Sequence, residues 1–374
     1  MEKPKKNRKK LALVIAAFVV FIVAVLAVCG YLFLKQTYSQ MELLDTYTEC
    51  ASDNSNYIYF SKCVLKYSRD GVALFNKKGE ELWNHPCQMQ SPIVELCGEA
   101  AVIGDRGATS VMVLTTEGVK GEFQTSRPIE RLTVSAQGIV VAVLKDETTP
   151  WILCYDAKGN VLVEQKASLS NTGYPIDIAI SKDGKTLLAA YLFVKENSVS
   201  TKVTYYNFDE GTTEHEVASK TYADTMIPTT AFLDESTSVL VGDNAVVFWK
   251  GVKNPEESVK IDINQEIKSV AYDRDRVVLV LKNPEKSGYE LRVYDKNGKQ
   301  TATQEFEGEY GNIKVTGRRV ILYEGAKCLI FDVAGVIRYE GQYEHNIQEI
   351  FPLWGINKYM IVGAEGMQKV QLTK

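Results

Sequence analysis

Short segments of alternating apolar and polar residues follow one another from Tyr57 to the C-terminus. A turn signal, usually Gly beside Asn, Asp or Ser, interrupts the alternation about every 8–12 residues. Alternation with a period of two is typical of β-strands that bury one face. Since no helical periodicity is sustained in this region, the pattern predicts an all-β domain over residues 57–374.

One turn recurs along this domain. An aromatic residue ends a strand, Asn or Asp follows it, and Gly comes three residues later. Clear copies are Phe75–Gly79, Tyr155–Gly159, Tyr294–Gly298 and Phe331–Gly335, and weaker copies end at Gly118 and Gly211. The Asn or Asp side chain can bind the backbone ahead of it, and Gly takes the left-handed conformation that closes a hairpin. The spacing corresponds to a unit of about 40 residues, which predicts the four-stranded blades of a β-propeller.

The number of blades follows from the strands that lead into these turns. Eight such strands can be counted, near Leu74, Val113, Leu153, Tyr205, Val247, Val293, Ile330 and Val370. We therefore predict an eight-bladed β-propeller. Seven blades is the alternative, because the first unit is hard to divide between Tyr57 and Tyr67. The last unit lacks an outer strand, so we expect residues near the N-terminal end of the domain to supply it and close the ring.

A basic tail and an uncharged run precede the propeller. Residues 1–10 carry six basic residues and one acidic residue, and Leu11–Leu34 contains no charge. A helix of that length is about 36 Å long, enough to cross a hydrocarbon core of about 30 Å. The basic flank should remain in the cytoplasm. A cleaved signal peptide, or lipidation at Cys29, is the alternative.

This reading divides the chain into four parts. We predict a cytoplasmic tail over 1–10, a single-pass transmembrane helix over 11–34, a stalk or linker over 35–56, and an extracytoplasmic propeller over 57–374. The chain would thus sit in the cell membrane with its N-terminus in the cytoplasm.

Charge and cysteine content exclude several functions. The chain has 43 basic and 47 acidic residues, and the tail holds six of the basic ones, so the exported part is acidic and should not bind nucleic acid. Six of the seven cysteines lie outside the membrane segment, and none forms a CxxC pair, which argues against a redox motif or thiolate zinc site. We expect Cys154 and Cys328 to be buried strand residues. A disulfide, if one forms, should involve Cys50, Cys63, Cys87 or Cys97.

Motifs for catalysis or metal binding are missing from the sequence. His85, His215 and His345 are isolated, and neither HExxH nor GxSxG occurs. We therefore predict no catalytic, cofactor-binding or metal-binding residue.

The candidate binding residues are polar residues at the starts of the innermost strands: Glu130, Arg131, Asp177, Lys268, Lys314 and Glu349. In a propeller these positions surround the mouth of the central channel. A ring of mixed charge there could hold a glycan or a peptide, although channel-mouth residues are also polar simply because they are hydrated.

Two segments carry resemblances to known propellers. Gly71–Trp83 resembles the blade repeat of quinoprotein-type propellers, which implies that Trp83 packs between neighbouring blades. Ser181–Ala189 is similar to the S-x-D-G-x-x-L-A hairpin of WD40-like propellers. The whole layout resembles an uncharacterised bacterial family with a basic tail, one membrane helix and an exported propeller.

We therefore expect a non-catalytic binding or scaffolding module at the cell envelope, which holds a partner protein or a glycan. The alternative is a quinone-dependent or sugar-acting enzyme. The resemblance to quinone-dependent enzymes implies a vicinal cysteine pair, which this sequence lacks, so we expect no enzyme and no cofactor. A sensor of a soluble ligand is a third possibility, but the short cytoplasmic tail leaves little room for an output domain.

Overall fold

A computed structural model describes residues 14–25, 30, 35–52, 54–146, 149–166, 173–195, 198–208 and 216–374. The described strands form eight antiparallel four-stranded sheets, and contacts between neighbouring sheets, including the first and the last, arrange them as a ring. The prediction of an all-β, eight-bladed propeller is confirmed, and the seven-bladed alternative is wrong.

The strands follow the chain from blade 1 to blade 8. A first strand, β1 (Gln40–Tyr47), precedes blade 1, which contains β2 (Asn56–Phe60), β3 (Cys63–Tyr67), β4 (Gly71–Phe75) and β5 (Glu81–Pro86). Blade 2 contains β6 (Pro92–Cys97), β7 (Ala100–Asp105), β8 (Ser110–Thr115) and β9 (Gly118–Gln124), and blade 3 contains β10 (Ile129–Val134), β11 (Val140–Leu144), β12 (Trp151–Tyr155) and β13 (Val161–Lys166). Blade 4 contains β14 (Tyr174–Ile180), β15 (Thr186–Lys195), β16 (Ser198–Asn207) and β17 (Glu216–Tyr222), and blade 5 contains β18 (Thr229–Phe232), β19 (Thr237–Val241), β20 (Ala245–Lys250) and β21 (Glu256–Asp262). Blade 6 contains β22 (Ile267–Tyr272), β23 (Arg276–Lys282), β24 (Tyr289–Asp295) and β25 (Gln300–Phe306), and blade 7 contains β26 (Asn312–Thr316), β27 (Arg319–Glu324), β28 (Lys327–Asp332) and β29 (Ile337–Gln342). Blade 8 contains β30 (Glu349–Pro352), β31 (Lys358–Gly363) and β32 (Gly366–Thr373), and β1 completes it.

Strand β1 closes the ring. It pairs antiparallel with β32, from Gln40 opposite Thr373 to Tyr47 opposite Met367. The expectation that N-terminal residues supply the last outer strand is confirmed. The stalk predicted over 35–56 is corrected accordingly, because residues 40–47 belong to the propeller. Most side chains of β1 are exposed, as on any outermost strand, and its mixed polarity therefore resembles that of a linker.

The recurring turn has the expected hydrogen bonds. The Asp156 side chain accepts bonds from the backbone N–H groups of Lys158 and Asn160, and Gly159 takes a φ of +86°. Asn76, Asp295 and Asp332 accept equivalent bonds. A β-bulge follows each of these turns, and its extra residue lies on the outer strand, at Leu82, Leu162, Thr301 and Arg338. The weaker copy that ends at Gly211 lies outside the described residues.

The turn glycines also meet the preceding blade. A Cβ added at Gly159 would lie 2.5 Å from the Cβ of Phe123 in the outer strand of blade 2, and one at Gly79 would lie 2.5 Å from the Cβ of Tyr47 in β1. Real Cβ atoms do not approach side chains so closely. The repeat therefore needs glycine both for its backbone conformation and for close packing of blade on blade.

The hydrophobic core lies between adjacent blades as separate clusters. Cys154 packs in the cluster between blades 3 and 4, and Cys328 in the cluster between blades 7 and 8, both fully buried as predicted. Burial raises the pKa of the Cys154 thiol to about 12. Trp83 donates its indole N–H to the carbonyl of Thr116 in blade 2, 3.2 Å away. The role implied for Trp83 by its resemblance is thus confirmed.

The described cysteines are all free thiols, so no disulfide joins Cys50, Cys63, Cys87 or Cys97. Before the propeller, residues 14–25 form a helix. Within the described part of the chain, no helix is both long and apolar enough to cross a membrane. Residues 11–13, 26–29 and 31–34 lie outside that part, and the transmembrane helix over 11–34 remains a prediction.

The ring has two different faces, because the innermost strands run in the same direction. We call one the strand-start face. It carries the connections into each innermost strand and the hairpins between second and third strands. The other, the turn face, carries the repeated turn and the hairpins between first and second strands.

The two faces differ in charge. Among the described residues, acidic side chains outnumber basic ones in the connections of the strand-start face, for example Glu266, Glu307, Glu309, Glu344 and Glu365. Basic side chains outnumber acidic ones in the hairpins of the turn face, for example Lys77, Lys78, Lys158, Lys182, Lys185 and Lys253.

Candidate functional site

The central channel contains a cavity of about 460 Å³. The innermost strands of blades 2 to 6 line it, together with Tyr67 at the end of β3. Polar side chains from six different blades line it, among them Tyr67, Glu95, Arg131, Asp177, Thr230 and Tyr272. The ring of mixed charge expected from the sequence is therefore present in part. Arg131 and Asp177 belong to the predicted set, and the other four were not predicted.

Asp177 is the most firmly held of these side chains. Its Oδ2 accepts hydrogen bonds from the backbone N–H of Thr230 at 2.6 Å and from the Thr230 hydroxyl at 2.9 Å. Its Oδ1 lies 3.7 Å from Nη1 of Arg131. A β-bulge comes immediately before both Arg131 and Asp177 in their strands. Because a bulge changes where the following side chains point, these bulges position the pair at the channel.

Glu95 is the carboxyl group of the site whose pKa lies near neutral pH. Burial, and then the negative charge of Asp177, raise its pKa to about 7, while Arg131 acts in the opposite direction. Burial also raises the pKa of Asp177 itself, against the hydrogen bonds from Thr230 and the charge of Arg131. The cavity thus holds one fixed carboxylate and one carboxyl group that changes its charge near neutral pH.

Two tyrosines face these carboxyl groups. Burial and the charges of Glu95 and Asp177 raise the pKa of Tyr272, although 44% of this residue's surface is exposed. Burial and the charges of Glu349 and Glu95 raise the pKa of Tyr67. Both phenols therefore remain protonated hydrogen-bond donors at neutral pH.

Lys314 and Glu349 form a separate ion pair on blades 7 and 8. Glu349 is 5% exposed, and its Oε1 contacts the ammonium group of Lys314. The same oxygen accepts the backbone N–H of Ile350 at 2.8 Å. Since the charge of Glu349 reaches Tyr67, this pair lies on the side of the ring where blade 8 meets blade 1.

The other two predicted residues lie apart from the cavity. Glu130 accepts a hydrogen bond from the hydroxyl of Tyr174 in blade 4. Lys268 is exposed and pairs with Glu266 at 2.7 Å. Glu130 and Lys268 both occupy the extra position of a β-bulge, whereas Asp177 follows one. The three residues therefore do not occupy equivalent positions: Asp177 corresponds to the residues that follow Glu130 and Lys268.

Lys268 borders a second cavity, of about 440 Å³, between blades 6 and 7. Its walls include the aromatic rings of Tyr289, Phe306 and Tyr310. The Tyr289 hydroxyl donates to Glu309 at 3.0 Å.

The sequence prediction missed Glu95, Thr230 and Tyr272. Glu95 carried a usable signal, because it is the one charged residue in the otherwise apolar strand β6. Thr230 and Tyr272 carried none, because Thr and Tyr are common in any β-strand.

Hydrogen bonds from backbone to carboxylate fix the short loops around the strand-start mouth of the channel. The buried carboxylate of Asp105 accepts the backbone N–H of Ser91 at 2.7 Å and that of Gln90 at 3.0 Å. In blade 5, Asp243 accepts the N–H of Met226 at 3.2 Å. The rim is therefore built on fixed backbone, which suits binding without a large rearrangement.

Metal and histidine chemistry finds no support in the described residues. No group of three or more His, Cys, Asp or Glu side chains among them is placed to hold a metal ion. His85 contacts Glu122 at 2.7 Å on outer strands, and His345 lies against the ring of Tyr343. His215 lies outside the described residues.

The chain belongs to a family of unknown function, DUF5711, whose sequence profile matches residues 34–372. No curated protein matches the chain in a sequence comparison.

Among solved structures, BamB from Moraxella catarrhalis is similar, with a TM-score of 0.54 and 12% identity over 89% of this chain and 98% of that one. Apo AztD from Citrobacter koseri has a TM-score of 0.52 and 9% identity over 78% of this chain and 87% of that one. At such identities the likeness shows the propeller fold alone.

Proposed function

We propose that this protein is a membrane-anchored, extracytoplasmic β-propeller that binds a partner protein or a glycan at the cell envelope. The binding site is the cavity in its channel, which extends from Arg106 on the strand-start face to Tyr272 at the opposite end of β22. One observation carries the proposal. Arg131, Asp177, Glu95 and Tyr272 come from four different blades and converge on one cavity, each on a rigid innermost strand.

The chemistry of the cavity suits a polar ligand. It offers a guanidinium group, a fixed carboxylate, a carboxyl group with a pKa of about 7 and two phenol donors. A glycan presents hydroxyl groups and a peptide presents amides, and both can bond with such a set. The acidic rim of the strand-start face disfavours anionic ligands.

The membrane anchor is the second part of the proposal. Leu11–Leu34 lacks charge, and side chains of helix 14–25 such as Val14, Phe18 and Phe21 are more than 60% exposed. Exposed apolar surface of this kind is stable in a hydrocarbon environment. The basic tail then keeps the N-terminus in the cytoplasm and the propeller outside.

A sugar-acting enzyme is the second candidate. Glu95 and Asp177 are two carboxyl groups in different environments, as paired acid–base catalysis requires. We rank it second because Asp177 is held by Thr230 and Arg131, which is the environment of a positioning group. Glu95→Gln separates the two: it should abolish turnover of a glycan substrate in an enzyme, whereas a binding module has no turnover to lose.

The binding site can be tested by photo-crosslinking in native membranes. A photoreactive residue at Arg106, on the cavity rim, should capture a partner, and one at Lys253, on the turn face, should not. Arg131→Met should reduce the capture, because it removes the cationic side chain that lies 3.7 Å from Asp177. Equal capture at both positions, or capture unaffected by Arg131→Met, would contradict the proposed site.

Binding of a glycan is tested in a separate experiment. Soluble cell-wall glycan fragments should bind the detergent-solubilised full chain and lose affinity in Arg131→Met. Protease treatment of intact cells tests the topology, since an intracellular propeller resists digestion.

A further inference from the structure

The most exposed large apolar side chain of the described propeller lies on the turn face. Trp354 is 96% exposed and Ile356 is 63% exposed. Both belong to residues 353–357, the hairpin between β30 and β31 of blade 8. A tryptophan so fully exposed to water is unusual in a folded domain, and adjacent exposed apolar residues often mark an interaction surface.

The base of this hairpin is pinned, so that its tip projects as a fixed feature. The side chain of Asn357 donates to the hydroxyl of Tyr38 at 2.5 Å, and its carbonyl accepts the N–H of Leu372 at 2.9 Å. The N–H of Leu353 bonds the carbonyl of Lys358 at 2.8 Å.

The contact with Tyr38 places the hairpin beside the start of the propeller. The uncharged run ends at Leu34, four residues before Tyr38. Four residues of extended chain span at most about 14 Å. If the run crosses a bilayer, its end at the membrane surface therefore cannot be farther than that from Tyr38, and Tyr38 touches the base of the Trp354 hairpin.

The direction of the strands then orients the ring. β1 begins at Gln40 on the turn face and pairs with β32, which ends there at Thr373. The chain thus enters the propeller on the same face as Trp354. Basic side chains slightly outnumber acidic ones in the described hairpins of that face, while the acidic strand-start face lies on the opposite side.

We propose that Trp354 and Ile356 insert into the interfacial zone of the lipid bilayer, so that the turn face rests on the membrane and the strand-start mouth opens away from it. The partner that contacts these two side chains is therefore lipid. Tryptophan favours the headgroup level of a bilayer, because its ring is apolar and its N–H remains hydrated. Lysines of the turn face add attraction to anionic headgroups. This inference rests on the membrane anchor of the proposed function.

Depth-dependent fluorescence quenching tests the inference on the full chain. The protein is reconstituted into phosphatidylcholine–phosphatidylglycerol vesicles whose acyl chains carry bromine near the headgroup. Flotation of the vesicles first establishes whether the chain is inserted. We expect bromine to quench part of the tryptophan emission of the wild type and this part to disappear in Trp354→Phe.

A matched control moves the tryptophan to the other face. Val194, near the end of β15 on the strand-start face, is 69% exposed. The double variant Trp354→Phe/Val194→Trp has the same number of tryptophans as the wild type, and its added tryptophan should not be quenched.

The outcomes separate this inference from the anchor. A chain that floats with the vesicles but shows the same quenching in wild type and Trp354→Phe keeps the anchor and overturns the inference. Quenching at Val194→Trp would overturn it as well, because the opposite face would then lie on the membrane. A blue shift of Trp354 emission with protein concentration, without quenching, would assign the tip to a second copy of the chain. A chain that does not float overturns both proposals.

Discussion

On the turn face, four blades carry glycine at the same position of the same turn, at Gly79, Gly159, Gly298 and Gly335. On the strand-start face, the equivalent residues of β10, β14 and β22 are Arg131, Asp177 and Ser269. The first set repeats because each glycine packs against the outer strand of the preceding blade. The second set differs in its surroundings, because Arg131 and Asp177 line the channel cavity, whereas Ser269 lines the cavity between blades 6 and 7. In this ring, repetition marks packing and divergence marks the candidate site.

The largest effect should come from breaking the repeated turn. Gly159→Ala places a Cβ 2.5 Å from that of Phe123 and holds alanine at a φ of +86°. We expect a loss of about 3 kcal/mol in the free energy of unfolding, from backbone strain and overpacking together. Thermal and denaturant unfolding of the solubilised full chain, followed by circular dichroism, measures it.

Gly107→Ala is the matched control on the strand-start face. Gly107 has a φ of +84°, but a Cβ there would meet no atom within 4 Å. Only the backbone strain remains, so the loss should be about 1 kcal/mol. Equal losses for the two variants would show that the repeated glycine serves the turn alone and not the packing of blades.

The next largest loss of stability should come from breaking the Lys314–Glu349 ion pair. Lys314→Met leaves the carboxylate of Glu349, which is 5% exposed, without its cation. We expect a loss of about 2 kcal/mol, less than for a fully buried pair because Lys314 is partly hydrated. Unfolding of the double variant Lys314→Met/Glu349→Gln provides the control, since it removes the stranded charge. If the single variant is as stable as the wild type, the ion pair contributes nothing to the free energy of unfolding.

The same contrast explains how far the sequence could be read. The repeated turn revealed the blades because Asp156 and Gly159 obey local rules of hydrogen bonding and φ. The outer strand β1 was read as a stalk, because Leu43 and Leu44 are exposed and no local rule distinguishes such a strand from a linker. The site was found only in part: the bulges that set the direction of Arg131 and Asp177 depend on pairing with β11 and β15, and one strand read alone does not contain that information.

A smaller effect is expected within the channel. Asp177→Asn removes a charge that accepts two hydrogen bonds from Thr230 and faces Arg131. An amide oxygen can still accept these bonds, so the loss should be about 1 kcal/mol. Thr230→Val, which removes the hydroxyl bond alone, should cost less. A larger cost for Thr230→Val than for Asp177→Asn would mean that the hydroxyl, and not the carboxylate, organises this wall of the channel.

The last prediction concerns the pH dependence of stability that Glu95 should cause. The pKa of Glu95 rises from its ordinary 4.5 to about 7 in the folded chain, through burial and the charge of Asp177, with Arg131 opposing. The folded state then binds more protons than the unfolded state between these values, so the contribution of Glu95 to stability falls as pH rises through that window. Melting temperatures measured from about pH 5 to pH 8 should therefore fall less in Glu95→Gln than in the wild type. Asp177→Asn should move the window to lower pH, because it removes the charge that helps to keep Glu95 protonated. Identical pH profiles for the wild type and Glu95→Gln would show that water in the channel screens this carboxyl group as fully as a surface one.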